Sequence, residues 1–195
     1  YIKINAFYST TAKELEDALD YMKKNDVISV IFDVRNNNTG LISNVVKCID
    51  LIVPVATDGT NAVATAVDKN GNIIETFASD SDSVNFTMIV LVNSNTSGAA
   101  ELFACDLRDF GLARLVGAKT AGNGTMQKIF ELNDGSAVAL TVAKILPYKS
   151  DSYNDIGIQP DYVVELSAEQ NSRLEMLSFE EDIQYQKAMD IITNK

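Results

Sequence analysis

Two short apolar runs constrain most what this chain can fold into. Val27 to Val34 and Met88 to Val92 are nearly continuous stretches of β-branched and aliphatic residues, without the polar alternation of a half-exposed strand. Strands of that kind need cover on both faces, which a parallel sheet flanked by helices supplies. The intervening segments read as those helices. Leu15, Ala18, Leu19 and Met22 recur at helical spacing behind Thr11 and Glu14, which have the spacing of a capping box, so a first helix is expected to end near Asn25. Similar patterns predict helices from Leu41 to Ile52 and from Ala99 to Phe110. Tyr1 to Phe7 alternates like a strand and starts abruptly, as a domain boundary would, and Leu115 to Gly117 is a short strand.

Hairpins accompany this βαβα beginning. Ala62 to Asp68 and Ile73 to Phe77 flank Lys69-Asn70-Gly71-Asn72, where Asn-Gly favours a primed turn. Met126 to Leu132 and Ala137 to Ile145 flank Asn133-Asp134-Gly135 in the same way. Phe179, Ile183, Gln186, Met189 and Ile192 outline one face of a peripheral C-terminal helix. There is no internal repeat and no low-complexity linker. The expected architecture is one α/β domain over residues 1–195, a mixed β-sheet core with flanking helices and peripheral hairpins.

Composition narrows the chemistry. A net charge of -11 without a Lys/Arg cluster argues against nucleic acid as a partner, because that affinity comes from cations neutralising phosphates. No apolar run approaches the roughly 20 residues of a membrane span. The chain has no His, which excludes Ser-His-Asp, Cys-His and His-based zinc arrangements within it. Any general base must be a Lys, a carboxylate or a terminal amine. Cys48 and Cys105 fall in apolar helical patterns and read as buried thiols rather than a disulfide. Neither a metal nor a cofactor is implied.

In sheets of this class ligands bind beyond the carboxyl ends of the strands, and three such ends carry polar loops: Arg35 to Gly40, Asn93 to Gly98, and Thr120 to Thr125. They are expected to converge on one cleft, with the Asn70-Gly71 hairpin lying away from it.

The motifs in these loops carry a resemblance. Tyr1-Ile-Lys-Ile-Asn, Asp33-Val-Arg-Asn-Asn-Asn-Thr-Gly, Asn93-Ser-Asn-Thr-Ser-Gly-Ala-Ala-Glu101, Val116-Gly-Ala-Lys-Thr-Ala-Gly-Asn-Gly-Thr-Met-Gln127 and Gly157-Ile-Gln-Pro-Asp161 occur in the order and at the spacings of the tail-specific, or C-terminal processing, serine peptidases. The chain resembles that family over essentially its whole length. The resemblance implies a crotonase-like peptidase core and a Ser-Lys mechanism, in which a desolvated Lys takes the Ser proton.

The same resemblance places the reactive groups. The family's Ser stands three residues before a Glu at a helix start, and counting back from Glu101 gives Gly98. Its Lys stands between two glycines, and here that loop reads Gly122-Asn123-Gly124. Nucleophile and base positions are thus both substituted, whereas Gln127 keeps the position of a Gln that orients the Lys. The implied oxyanion hole combines the Ala99 N–H with the Thr39-Gly40 turn, where Thr39 replaces a family Gly and would misshape the hole if positive φ were needed there.

Ser97 is the alternative nucleophile. A one-residue shift near a helix start turns the side chain by roughly 100°, so Ser97 is instead expected to cap the N–H of Ala99 or Ala100. Lys119 reads as a surface residue. A Ser at position 98 is expected to suit a helix start. The resemblance further implies an export signal and a PDZ domain upstream, an extracytoplasmic location in the cell envelope, and an unfolded peptide or protein C-terminal tail as partner. It is also compatible with a homo-oligomer. Three functions follow: a noncatalytic homologue that binds peptide tails, a working endopeptidase using Ser97 or a group outside this chain, or a domain that only supports assembly of a larger envelope protein.

Overall fold

The computed structural model describes residues 1–55, 62–80 and 84–194. Its centre is a five-stranded parallel sheet. β1 (Ile2–Lys3), β2 (Ser29–Asp33), β5 (Thr87–Val92), β6 (Ala113–Gly117) and β9 (Tyr162–Val163) lie side by side in that order. Period-two alternation along these strands sorts their side chains onto two buried faces. Val30, Phe32, Met88, Val90 and Leu115 join the main core beneath α1 (Thr11–Lys24), α2 (Ile42–Asp50) and α3 (Ala99–Asp109). Phe7, Phe32 and Phe103 knit that layer, with ring centroids 5.5 and 5.4 Å apart across Phe103. Ile31, Ile89, Leu91 and Val116 point the other way and are covered by α5 (Ile183–Thr193).

The C-terminal helix therefore covers a face of the main sheet instead of lying at the periphery. Its buried side is the expected one only in part: Met189 and Ile192 pack half-buried beside the fully buried Ala188 and Gln184, while Phe179, Ile183 and Gln186 are exposed. The helix docks through Ala188 and the hydrogen-bonded Gln184 amide, with Tyr185, Met189, Ile191 and Ile192 packed on the same cluster. A short helix α4 (Ala168–Ser172) and a single 3-10 turn (Leu174–Met176) lead into it.

A second, antiparallel sheet has the order β4-β3-β8-β7, from β3 (Ala62–Val67), β4 (Ile73–Ala78), β7 (Thr125–Glu131) and β8 (Ala137–Pro147). Both expected hairpins form, but the Asn70-Gly71 turn is not a primed one. Positive φ is confined to Gly71, at 84°, and Asn70 lacks it. The reason lies in Asp68, whose Oδ1 accepts the N–H groups of Asn70 and Asn72 and holds an ordinary turn closed before the glycine.

The start of α1 also differs from expectation. Thr10, not Thr11, is the N-cap of α1, and the Thr11 hydroxyl accepts the Tyr8 N–H and donates to the Ala6 carbonyl, so the capping box with Glu14 does not form. Strand β1 is limited to two residues, with one isolated parallel bridge further on between Phe7 and Gly40. Both cysteines are buried and free, and burial pushes each thiol up to about 12. No helix among the described residues is long and apolar enough to cross a membrane.

Candidate functional site

The carboxyl ends of β2, β5 and β6 send three loops to one place. Asn38, Gly40, Gly98, Ala99, Asn123 and Gln127 all line a single cavity of about 220 Å³. The Asn70-Gly71 hairpin contributes nothing to its wall.

Backbone bonds between the loops fix this convergence. The Ser97 N–H donates to the Asn37 carbonyl at 2.9 Å, and the Ala121 N–H donates to the Thr96 carbonyl at 3.0 Å. Buried Thr96 adds a third tie by donating its hydroxyl to the Val34 carbonyl.

Glu101 binds the second and third loops together. Its carboxylate is fully buried in the first turn of α3 and accepts four hydrogen bonds. Oε1 receives the Thr120 hydroxyl at 2.5 Å and the Gly122 N–H at 2.7 Å, and Oε2 receives the Gly98 N–H at 3.0 Å and the Asn123 N–H at 2.8 Å. Hydrogen bonds to a charged group are worth about 1.5–3 kcal/mol each, and a helix N-terminus favours a carboxylate. Buried charge is therefore stabilised by donors from both loops, and both loops are held by it. Sequence reasoning used Glu101 only as a landmark; an acidic residue within a run of small residues at a helix start was the available signal for this larger role.

Gly98 has φ 64° and ψ -117°, a region that L side chains rarely adopt. The Glu101 tie on its N–H and the Tyr153 hydroxyl, which donates to its carbonyl at 3.3 Å, hold it there. Burial, reinforced by the Glu101 charge, raises the Tyr153 phenol well above its ordinary range and keeps it a neutral donor. The expectation that a serine would fit position 98 as an ordinary helix start is thereby corrected. A Cβ at this position would meet no backbone, but the main-chain conformation itself is strained for any residue other than glycine.

Positions 98 and 123 face each other. An ideal Cβ on Gly98 would lie 4.0 Å from Asn123 Nδ2, while Asn123 Oδ1 accepts the Thr125 hydroxyl at 3.0 Å. No Lys, Asp or Glu lines the cavity among the described residues. Its one hydroxyl, on Thr125, is directed at an amide oxygen.

The Ala99 and Gly40 N–H groups have no hydrogen-bond partner among the described residues, so two amide donors from different loops remain for a ligand. Gly40 carries the positive φ of its turn, at 149°, and its Cβ position lies 2.6 Å from Phe7 Cβ, so glycine is required there. Thr39 needs no positive φ. It lies beside the cavity wall, with its N–H toward Asn37 Oδ1 at 3.4 Å and its carbonyl accepting the Phe7 N–H.

Ser97 is not the N-cap. Gly98 takes that place and Glu101 supplies the capping oxygen, because the backbone turns sharply at residue 98. The Ser97 side chain does not line the cavity, and neither does exposed Lys119. Gln127 does, at the point where pairing between β7 and β8 shifts register.

The match to known proteins agrees with this arrangement of motifs. The model of peptidase family S41 matches residues 1–164. The carboxyl-terminal-processing protease of Synechocystis is 34% identical over 201 residues, covering 99% of this chain and 43% of that protein. The carboxy-terminal processing protease of Bacillus subtilis is 36% identical over 85% of this chain and 34% of its own length. Among solved structures, the photosystem II D1 C-terminal processing protease matches with a TM-score of 0.75 and 29% identity, over 84% of this chain and 41% of that one. This chain spans less than half the length of these relatives. Its sequence, its mixed α/β core and the order of its site loops make it a member of peptidase family S41, homologous to the C-terminal processing serine peptidases.

Proposed function

We propose that this chain is a noncatalytic member of its family that binds an extended peptide segment or protein C-terminal tail at the cavity between Gly40, Gly98 and Asn123. The observation that carries this reading is the pairing of positions 98 and 123. They stand where the resemblance puts nucleophile and base, they face each other, and together they offer neither a hydroxyl nor an amine. Loss of both groups removes the proton transfer on which acyl chemistry depends. Recognition elements remain: two amide donors without partners, the Asn123 and Gln127 amides, and the apolar side chains of Leu41 and Met126. Among the described residues the outer edge of β7 is unpaired, and the strand leads away from the cavity, so a bound peptide can extend the antiparallel sheet as a further strand.

The relatives support a reading of the cellular setting. They are bacterial and chloroplast processing proteases, and an extracytoplasmic location alongside a peptide-binding PDZ domain belongs to the same proposal. So does residues 1–195 acting as one domain.

The test uses a fluorescent unstructured peptide with a free carboxylate. Saturable binding weakened by Leu41→Asp, with hydrolysis no faster than buffer, is the expected result. Turnover that Ser97→Ala abolishes and contaminant controls do not explain would overturn the noncatalytic reading. Absence of saturable binding would overturn the peptide-binding one.

A further inference from the structure

The family model stops at residue 164, yet the segment after it reaches back to the candidate site. Arg35, the first residue of the Arg35 to Gly40 loop, is almost wholly buried. Its guanidinium holds Asp33 through Nε and Nη2 at 2.9 and 2.6 Å, and meets Asp182 Oδ2 at 2.8 Å and Gln184 Oε1 at 3.0 Å. Asp182 is itself fixed as the N-cap of α5, accepting the N–H groups of Gln184 and Tyr185. Asn36 is held as well. Its Nδ2 donates to Glu175 Oε1 at 3.2 Å, and Glu175 also pairs with Lys3.

Asn36 then passes the constraint to the second loop. Its Oδ1 accepts the side-chain amides of Asn93 and Asn95 at 2.9 and 3.1 Å, and its N–H donates to Asn93 Oδ1. Asn36 sits at φ 60°, an uncommon conformation outside glycine that these contacts hold in place. Next in the chain, the Asn37 carbonyl receives the Ser97 N–H, one residue before Gly98.

From this network we infer that the C-terminal segment is a positioning device for the cavity: Asp182 and Glu175 clamp Arg35 and Asn36 and so set the spacing between the Gly40 turn and the start of α3. This rests on the peptide-binding reading only for its functional readout. Undocking the segment relaxes Asn36 out of its positive φ, releases Asn93 and Asn95, and lets the two amide donors drift apart.

The experiment compares the intact chain with Glu175→Gln and Asp182→Asn, using hydrogen exchange at the Ser97 amide, labelled-peptide affinity and thermal melts together. Glu175 is exposed, so its variant is expected to fold. Both variants should lose Ser97 protection and bind peptide about five- to tenfold more weakly, at temperatures where both remain folded. Lower melting temperatures with unchanged Ser97 protection and affinity would show a purely structural role and overturn the inference. If the unaltered chain binds no peptide, the binding proposal fails, while Ser97 protection alone still decides whether the segment positions the loops. Should Asp182→Asn not fold, Glu175→Gln decides the matter by the same two readouts.

Discussion

At the scale of single residues, Gly98 determines what this site can be made to do. Its φ of 64° with ψ -117° costs a side-chain-bearing residue about 1–3 kcal/mol. Gly98→Ser should therefore lower stability by that amount in denaturant melts. Gly98→Ala should do the same, since the cost lies in the backbone and not in a clash. Neither Gly98→Ser nor Asn123→Lys should restore hydrolysis alone, because nucleophile and base act as a unit. The double variant is expected to cleave an unstructured peptide measurably, with the facing positions 98 and 123 bringing the new groups within reach. An equal rate in one single variant would show that another group supplies the missing function. Thr39 needs no correction in that experiment, since the positive φ of its turn belongs to Gly40.

At the scale of elements, α3 organises the cavity through one carboxylate. Glu101→Gln exchanges an acceptor-only group for one whose NH₂ must face two of the four donors. A loss of about 3 kcal/mol or more is expected in chemical denaturation, with faster hydrogen exchange at the Gly122 and Asn123 amides. By contrast, Ile129→Lys on the exposed face of β7 should change stability by no more than about 0.5 kcal/mol. The same contrast explains what was legible in the sequence. The parallel strands showed as β-branched runs, because cover on both faces demands apolar residues at every position. The convergence of the three loops followed from that sheet. The docking of α5 showed only in part, through Met189 and Ile192, because the rest of its contact is made by Ala188 and by Gln184, whose Nε2 donates to the Val164 carbonyl. The Asp68 turn and the Glu101 cap were likewise hidden, since a carboxylate that organises neighbouring backbone amides leaves no periodic trace in the sequence.

At the scale of the whole molecule, two carboxylates set opposing pH dependences. The Asp106 side chain on α3 is completely buried, its Oδ1 accepts the Tyr148 N–H at 3.0 Å, and its Oδ2 has no partner among the described residues. Burial raises its pKa well above the ordinary carboxylate range. The Tyr148 bond works against that shift, and the nearby charge of Asp109 adds to it. Cys105 and Tyr153 also lie within reach of its charge. Glu175 has the opposite character: its hydrogen bond from Lys3 lowers its pKa, so its contribution is present at neutral pH and disappears on acidification. For Asp106 the folded state keeps a proton that the unfolded state gives up near its ordinary value of 3.8. Stability must then fall as pH rises from about 4 toward the raised folded value, by at most about 1.4 kcal/mol per pH unit. Asp106→Asn removes this contribution while keeping an oxygen for the Tyr148 N–H. The variant should therefore gain stability relative to the unaltered chain as pH increases from 4.5 to 8, as measured by urea midpoints at fixed ionic strength. A difference between the two that stays constant across this range would mean that Asp106 is already ionised in the folded protein, with its second oxygen held by a donor.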